Sequence, residues 1–394
     1  MKNLNRKKIL FVTRPLSPPW DEASKNFAYS LAKNISQSEI NIMTDQKDSS
    51  FSSDLIFPHK VYTASENSRF DFWQKVCAIF FQFKIRNKFD IHHYFFTPTI
   101  LNSFLIKNFL KNPKTKTIQT IATLREDLWS DKDIRKILFA NIIIVYSAFA
   151  KNKLNNLGFE NVFQIYPGID LQEYKQISFQ ETQKNLLTDF SNESEVSKNF
   201  TKMHSKENDF VINFTGEYTR LGAIDLIIDS FIDIAKKNPS IKLSLAVRIK
   251  NEKDALKKRL IKKKLKKNNL LNQVSFFDNG RYKMKNVYNL CDISLFPVNN
   301  MQGKFDIPLA VVEAMACQKP VIISDLPILA ELTNGKNSVI VKKDNQKELT
   351  DAILDLYTHP EKKRLIGWEA RKFVEEKFNI KKIAQEYEKI YATL

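Results

Sequence analysis

The chain has 394 residues, of which 62 are Lys or Arg and 44 are Asp or Glu, so its formal net charge at pH 7 is +18. At roughly 100 to 200 residues per domain, this length predicts two domains that each bury a core. Hydrophobic residues make up 43% of the chain and charged residues 27%, which argues against a disordered or fibrous protein.

The three cysteines, Cys77, Cys291 and Cys317, are far apart in the sequence and form no C-x-x-C pair. We therefore expect neither a disulfide framework nor a cysteine zinc site, and a reducing, cytoplasmic compartment fits best. The longest strongly apolar stretch, 76–83, is far shorter than the roughly 18 residues of a membrane span. Because the amino terminus also runs directly into a strand pattern, no signal peptide is expected.

The positive charge divides into +9 up to Asp170 and +9 beyond it. Ten Lys or Arg against two acids lie within 250–267, where leucines at helical spacing predict a surface helix with a cationic face. A solvated surface and attraction to an anionic membrane both remain open as explanations. Nucleic acid is not expected as a partner, because the chain lacks a readout module and aromatic residues are not interleaved with the basic run.

Taken in chain order, strand and helix patterns alternate in two series. The first series has strand patterns at 7–13, 39–44, 90–96, 117–123 and 141–147, and helical patterns at 21–35, 70–85 and 100–110. The second has strand patterns at 210–216, 242–248, 273–278, 292–298, 320–324 and 338–342, and helical patterns at 223–235, 250–267 and 309–316. Short apolar strands separated by helices predict parallel sheets covered on both faces. The fold class is therefore α/β, with two doubly wound, Rossmann-like domains facing a central cleft.

The predicted domains are 1–174 and 210–375, joined by a linker or insertion at 175–209 that is rich in Ser, Asn, Gln and Lys. A terminal helix within 376–394 is expected to pack back on the first domain. A long stretch without clear periodicity inside a compact domain would be unusual, which is why the connection is placed at 175–209.

The most informative segment is 303–332. A polar loop leads into a helix that begins near Pro308 and Leu309, and the free backbone N–H groups of such a helix start can stabilise a phosphate. Glu313 follows on the same helix with apolar neighbours. A carboxylate there can accept hydrogen bonds from two hydroxyl groups, as from a ribose; a plain surface or capping acid is the alternative.

The order EAMACQKPVIIS at 313–324, followed by Glu331, and the earlier IYPGIDLQEY at 165–174 resemble the retaining GT-B glycosyltransferases of family 4, also called group 1. The resemblance is strongest over 166–168 and 210–341. It implies transfer of a sugar from a nucleotide diphosphate sugar to a hydroxyl of a glycan or lipid-linked acceptor, in cell-surface polysaccharide or glycolipid synthesis. It also implies an acceptor-side first domain, a donor-binding second domain with Glu313 on the donor ribose, and no cofactor besides the co-substrate.

The sequence departs from the family pattern at two places. The family usually has a glutamate eight positions before the one matching Glu313, and here that position is Phe305. The neighbouring Asp306 is then the candidate for the sugar contact, displaced by one residue. In the stretch 214–222, Glu217 and Leu221 stand where the family commonly has an arginine and a lysine on the donor diphosphate.

A departing nucleoside diphosphate gains negative charge, so a cation must stabilise it in the transition state. Arg220 is the first choice, with Arg248 and Lys304 as further candidates, and Gly216 and Glu217 line the same loop. A turn arginine in solvent is the alternative for Arg220.

Two further candidates lie in the first domain. Asp21 follows a stiff loop at 17–20 and is either a helix N-cap or an acid in the cleft. His93, in preference to His92, could contact a sugar or phosphate; a structural histidine is the alternative for each. A retaining reaction needs no protein base, because the departing phosphate oxygen can take the acceptor proton, whereas an inverting one would use Asp21, Glu22 or His93. No histidine spacing supports a metal site.

The helical pattern at 70–85 repeats bulky apolar residues at helical spacing: Trp73, Val76, Cys77, Phe80 and Phe81. Core packing is the default expectation for such a stripe, and contact with a membrane surface at the inner face of the membrane is the alternative, suited to a lipid-linked acceptor. Two other functions remain open: a weakened homologue that only binds a nucleotide sugar or a partner, and a sugar-nucleotide epimerase on the same fold.

Overall fold

The computed structural model describes residues 6–16, 22–45, 53–62, 72–189, 209–278 and 282–394. The chain divides into two compact units. Unit 1 comprises Met1–Asp170, Gly303–Ile307 and Phe378–Leu394, and unit 2 comprises Leu171–Gln302 and Pro308–Lys377. The chain therefore passes from one unit to the other at four positions rather than through one linker.

The described part of unit 1 contains a parallel sheet of seven strands in the order β3-β2-β1-β4-β5-β6-β7. The strands are β1 (Lys8–Val12), β2 (Glu39–Thr44), β3 (Ile56–Lys60), β4 (Ile91–Tyr94), β5 (Lys116–Ile121), β6 (Ile142–Val145) and β7 (Val162–Gln164). The helices are α1 (Ala23–Asn34), α2 (Phe72–Ile85), α3 (Ile100–Leu105), α4 (Asp131–Ile137) and α5 (Ala148–Asn156), and α3 continues into a π-helical turn, Ile106–Leu110.

The described part of unit 2 contains a second parallel sheet, of six strands in the order β10-β9-β8-β11-β12-β13. Its strands are β8 (Phe210–Gly216), β9 (Ile241–Val247), β10 (Val274–Phe276), β11 (Ile293–Phe296), β12 (Val321–Ser324) and β13 (Val339–Val341). Its helices are α6 (Phe179–Asp189), α7 (Ala223–Ala235), α8 (Glu252–Lys267), α9 (Met284–Leu290), α10 (Leu309–Ala316), α11 (Gln346–Thr358) and α12 (Pro360–Lys377), with 3-10 turns at Leu271–Gln273 and Pro327–Leu332.

The predicted α/β class with two doubly wound sheets is confirmed by these topologies. Strands such as β6 and β12 are buried at every position, as expected for parallel strands that helices cover on both faces. In unit 2 the strand order reverses between β8 and β11, and the carboxyl ends of strands at such a switch point form the ligand-binding edge of an open α/β sheet.

The predicted linker at 175–209 is helical in part. Helix α6 lies within it and packs against α9 of unit 2, and Leu186 of α6 belongs to an apolar cluster with Phe277, Val287 and Leu290. Leu186 and Thr182, four residues apart on one helix face, are fully buried. Most other residues of the segment are polar, so this helical spacing of buried positions is hard to recognise in the sequence. Residues 190–208 lie outside the described residues.

The last helix, α13 (Ile380–Thr393), belongs to unit 1. Ile169 pairs with Asn379 as an isolated parallel bridge, and the Glu388 carboxylate accepts a hydrogen bond from the backbone N–H of Gln37 at 2.8 Å. A Cβ on Gly168 would lie 2.7 Å from the Cα of Ile380, so only glycine permits this approach of the two backbones. Gly168 of the 165–174 motif thus allows the start of α13 to pack closely on the preceding part of unit 1.

His93 lies in the core of unit 1 and not at an accessible edge, which corrects its assignment as a contact for sugar or phosphate. Its Nδ1 bonds with the Tyr391 hydroxyl at 2.8 Å and its Nε2 with the Thr120 hydroxyl at 2.7 Å, and its ring stacks on Phe95. Burial holds the pKa of His93 well below its usual value of 6.5. The ring is therefore neutral, with both nitrogens engaged in joining β4 and β5 to α13.

Helix α2 does not bury the stripe that core packing would require. Trp73, Val76, Cys77 and Phe80 are exposed, and Phe81 is partly buried. The expectation that this stripe is core is therefore wrong for the four exposed residues. No helix among the described residues is both long and apolar enough to cross a membrane.

We predict that His93→Leu destabilises the protein by about 2–4 kcal/mol, because two buried hydroxyl groups lose a partner. His92→Leu is the matched control: His92 is also buried, but its Nε2 has no hydrogen-bond partner among the described residues. This control should cost less than about 1 kcal/mol. Urea unfolding of both variants checks the difference, and equal losses would contradict the structural role of His93.

Candidate functional site

The candidate site of unit 2 lies at the carboxyl ends of β8 and β11. The segment after β8 is joined to the segment after β11 by a hydrogen bond from the Asn299 N–H to the Leu221 carbonyl oxygen, at 3.0 Å. Gly222 has a φ of +73°, and a Cβ there would lie 2.1 Å from the Asn299 side-chain nitrogen. Glycine is therefore required where this loop turns into α7.

A buried carboxylate, Glu217, joins two cations in this loop. Arg220 donates to it through Nε at 2.7 Å and through an Nη at 2.8 Å, and Lys250 donates through Nζ at 2.7 Å. Glu217 is 8% exposed, whereas both cations are more exposed than it is. These three side chains, two positive and one negative, carry a net charge of +1.

Sequence reasoning missed Lys250. From the sequence, Lys250 is recognised only as the first residue of the basic run. Because β8 and β9 are parallel neighbours, a residue shortly after β9 lies at the same edge of the sheet as the loop after β8. That spacing was the available signal. Arg248, the predicted alternative, follows β9 directly and is partly buried. Glu217 forms ion pairs with Arg220 and Lys250.

Glu313 lies on α10, which begins after Pro308 with Leu309 as its first helical residue. The Tyr288 hydroxyl donates to the Glu313 carboxyl at 3.0 Å, and the Tyr174 hydroxyl also hydrogen-bonds it. Neither tyrosine was predicted as a site residue, although Tyr174 closes the 165–174 motif. A carboxylate has about four lone-pair sites, so two phenol hydroxyls leave acceptor capacity for a ligand.

The Glu313 carboxyl is connected to the end of β8 by a chain of polar side chains. Tyr288 hydrogen-bonds Thr215 as well as Glu313, and the Asn213 amide donates to the Thr215 hydroxyl at 3.1 Å. Asn213 and Thr215 both lie on β8. The position of the carboxyl is therefore coupled to the same strand end that carries Gly216 and Glu217.

Burial raises the pKa of Glu313 from its ordinary value of 4.5 to about 7, while the hydrogen bonds from Tyr288 and Tyr174 act in the opposite direction. Removing a carboxylate from water disfavours its charged form, and donors to it restore part of that loss. Glu313 consequently changes its charge near neutral pH, which is typical of groups at ligand-binding sites.

Asp306 is placed in unit 1, where it is 5% exposed. Its carboxylate accepts a hydrogen bond from the Ser147 hydroxyl at 2.6 Å, and Ser147 also caps α5 by accepting from the Ala150 N–H at 3.0 Å. The Asp306 N–H donates to the Ala122 carbonyl oxygen at 3.0 Å. These contacts correct the expectation of an accessible carboxylate on the sugar: Asp306 anchors the segment 303–307.

Phe305, at the position of the missing glutamate, packs its ring against Tyr146 with centroids 5.7 Å apart. Lys304 is partly buried in the same segment.

Asp21 and the loop 17–20 lie outside the described residues, and Glu22 forms an ion pair with Arg14. Among the described residues, no three His, Cys, Asp or Glu side chains come together as metal ligands.

Residues 195–373, a little under half of the chain, match the model of the family described as Glycosyl transferases group 1. An uncharacterised glycosyltransferase of Methanocaldococcus jannaschii is 22% identical over 269 residues, covering 67% of this chain and 62% of that protein. The capsular polysaccharide biosynthesis glycosyltransferase CapM of Staphylococcus aureus is 26% identical over 199 residues, covering 49% of this chain and 48% of CapM. The chain thus spans about half to three fifths of the length of these relatives.

The structure of HepE of Anabaena in complex with UDP and glucose superposes with a TM-score of 0.73 at 17% identity, covering 99% of this chain and 100% of HepE. A sucrose-phosphate synthase of Thermosynechococcus elongatus superposes with a TM-score of 0.72 at 15% identity, covering 98% and 99%. Together with the two parallel sheets, these likenesses show that the fold is GT-B.

We predict that the Glu313 carboxyl makes stability depend on pH. Below about pH 4.5 both the folded and the unfolded state bind its proton; between 4.5 and 7 only the folded state does, so raising the pH destabilises the fold. With a folded pKa of about 7, the wild type should lose about 2–3 kcal/mol relative to Glu313→Gln between pH 4.5 and 8.

Urea unfolding at a series of pH values measures this difference. Glu252→Gln, at an exposed position at the start of α8, controls for general effects of pH on the chain. Parallel stability curves for the wild type and Glu313→Gln would contradict the raised pKa.

Proposed function

We propose that the protein is a group 1 glycosyltransferase that moves a sugar from a nucleoside diphosphate sugar to a hydroxyl of a glycan or lipid-linked acceptor. The observation that carries the proposal is the Glu313 carboxyl on α10, held by two tyrosine hydroxyls within the segment that matches the group 1 model. The likeness to HepE, whose structure contains UDP and glucose, makes UDP-sugars the first donors to test.

In this proposal the Glu313 carboxylate accepts hydrogen bonds from both hydroxyls of the donor ribose. Hydrogen bonds to a charged group contribute about 1.5–3 kcal/mol each, more than bonds between neutral groups. Tyr288 and Tyr174 fix the carboxyl before the donor arrives, so little side-chain freedom is lost on binding.

The donor diphosphate is assigned to Arg220 and Lys250. The guanidinium has five N–H donors and the ammonium three, and Glu217 engages two of the former and one of the latter. The other N–H groups of the Lys250 ammonium can bind phosphate oxygens, and the charge of Arg220 attracts the same oxygens, while Glu217 keeps both cations in place. The first backbone N–H groups of α10, beginning at Leu309, lack an acceptor within their helix and add positive potential.

The chemistry that we propose is transfer with retention. The departing diphosphate oxygen takes the proton of the acceptor hydroxyl on the same face of the sugar as the new bond forms. Arg220 and Lys250 stabilise the charge that develops on the leaving group, which is the main electrostatic requirement of such a step. No base role is assigned to Asp306 or His93, because their polar atoms bond to the protein interior.

CapM, of which 48% is covered by the match to this chain, is named for capsular polysaccharide biosynthesis. This name supports synthesis of a cell-surface glycan by this protein. We place the reaction on the cytoplasmic side, at the inner face of the membrane, where a lipid-linked acceptor is available.

A panel of nucleotide sugars tests the proposal. The full chain is incubated with each of them, and the released nucleoside diphosphate and the anomeric configuration of the product are then detected. Sugar release from one donor with an α-linked product from an α-linked donor is expected. Binding without turnover across donors and acceptors would instead favour a binding protein, and an epimerised nucleotide sugar would favour an epimerase.

We predict that Glu313→Gln weakens binding of the matching nucleoside diphosphate ten- to a hundredfold at pH 8, equivalent to about 1.4–2.8 kcal/mol, and leaves binding of inorganic pyrophosphate unchanged. Lys250→Gln and Arg220→Gln should weaken both ligands. Lys266→Gln, at an exposed position of α8, is the matched charge control and should change neither affinity.

Isothermal titration calorimetry with each variant measures these affinities. Loss of pyrophosphate binding in Glu313→Gln, or nucleotide affinity in that variant equal to the wild type, would refute the assignment of Glu313 to the ribose.

A further inference from the structure

Helix α2 exposes large aromatic side chains, although its inner face combines apolar residues of the unit 1 core, Ala78 and Ile85, with buried polar ones. Its buried positions include Gln74 and Gln82, which are 6% and 4% exposed, whereas Trp73 and Phe80 are 72% and 69% exposed. Helices of globular proteins normally turn their apolar face inward. Two outward aromatic rings above two inward glutamines therefore indicate a surface that binds something apolar outside unit 1.

The exposed aromatic residues continue beyond α2. Arg86 lies over the Phe83 ring, 4.2 Å from its centroid, and donates to the Phe109 carbonyl oxygen at 3.0 Å. Phe109, in the π-helical turn after α3, has its ring 6.5 Å from that of Phe104. Phe83, Phe104 and Phe109 are 47%, 56% and 51% exposed, so one patch reaches from α2 across the end of α3.

We name the aromatic face by its six exposed residues. They are Trp73, Val76, Phe80, Phe83, Phe104 and Phe109. Contiguous apolar patches of this extent on a soluble domain mark interaction sites more often than they occur by chance.

Cations surround the aromatic face. Residues 72–125 contain nine Lys or Arg and one acid, Asp90, and the Asp90 carboxylate already accepts a hydrogen bond from the Lys8 N–H at 2.8 Å. Lys84 and Lys88 are exposed at the end of α2, and Lys107 and Lys111 are exposed beside Phe109. None of these four lysines forms an ion pair with an acid among the described residues.

The cations are close enough to affect one another. The pKa of Lys107 is lowered by burial first and by the charge of Lys111 second. Like charges gathered at a surface repel, and an anionic partner relieves that repulsion.

We propose that the aromatic face with its surrounding lysines docks unit 1 on an anionic lipid surface. Aromatic side chains insert at the boundary between headgroups and acyl chains, and Lys and Arg beside them attract anionic headgroups. Charge complementarity identifies the occupant: an apolar protein partner would not need a field of one sign around the contact. The inference deepens the proposed function by naming the surface that would bring the protein to the membrane, and docking itself requires neither donor nor acceptor.

The basic helix α8 is the other candidate for this role, and its contacts argue against it. Lys257, Lys258 and Lys264 are paired with Asp225, Asp278 and Asp229, and Lys250 is paired with Glu217. Its exposed apolar residues are Leu256 and Leu260, 50% and 54% exposed, with no aromatic ring. The +8 that ten Lys or Arg and two acids place within 250–267 is therefore partly neutralised within unit 2.

Co-sedimentation with vesicles tests the proposal. The full chain, without donor, is mixed with vesicles of phosphatidylcholine alone or with vesicles that also contain about 30% phosphatidylglycerol. The wild type should bind the anionic vesicles at least tenfold more strongly than the neutral ones. Trp73→Ser/Phe80→Ser should lower this partition coefficient about tenfold, and Lys84→Gln/Lys88→Gln about three- to tenfold.

Leu256→Ser/Leu260→Ser and Lys263→Gln/Lys266→Gln on α8 are the matched controls, and each should remain within twofold of the wild type. All these positions are exposed, so folding should be preserved, as circular dichroism and unchanged nucleotide affinity would verify.

Three results would overturn the proposal. The first is equal binding of the wild type to neutral and anionic vesicles, and the second is an equal loss of vesicle binding in the α2 and α8 variants. The third is a wild type that does not bind vesicles but forms a concentration-dependent dimer, which Trp73→Ser/Phe80→Ser abolishes. Because nucleotide affinity is measured separately, failure of docking is distinguishable from failure of the proposed transferase function.

Discussion

The Glu313 carboxyl is the group on which the proposed chemistry of unit 2 depends. It is partly buried, and two tyrosine hydroxyls hold it, so its charged form is disfavoured by burial and only partly restored by hydrogen bonds. Such a group is costly for the fold above neutral pH. A ligand that supplies two further hydroxyl donors would lower that cost, which is the physical basis of the ribose contact proposed above.

The same reasoning explains the arrangement at Glu217. A buried carboxylate pairs with two cations without any ligand, and its negative charge offsets their mutual repulsion at the switch point. A phosphate that binds there meets donors already oriented, at the expense of some of their charge. The site therefore combines a partly buried carboxyl that can accept further hydrogen bonds with two positively charged side chains, and the proposed donor would place its ribose at the first and its diphosphate at the second.

The sequence predicted the fold well because strand composition and spacing are local properties. The apolar runs at 210–216 and 320–324 coincide with β8 and β12 to within a residue. The 165–174 motif was found through resemblance and Glu313 from its place among apolar neighbours on a helix, whereas Lys250, Tyr174 and Tyr288 were not predicted as site residues. Their roles depend on which loops lie side by side at the edge of the sheet, a long-range property that periodicity along one segment does not contain.

Two errors had the same physical origin. Periodicity shows that apolar residues share a helix face, but not which face is inside, and on α2 the aromatic side chains face outward while Gln74 and Gln82 are buried. Likewise, alternation along β4 sends His92 and His93 to opposite faces, yet helices cover both faces of a parallel sheet, so both rings are buried. In a doubly wound sheet a polar residue is therefore a candidate for ligand binding when it follows the strand, as Glu217 follows β8, and a candidate for core hydrogen bonding when it lies within the strand.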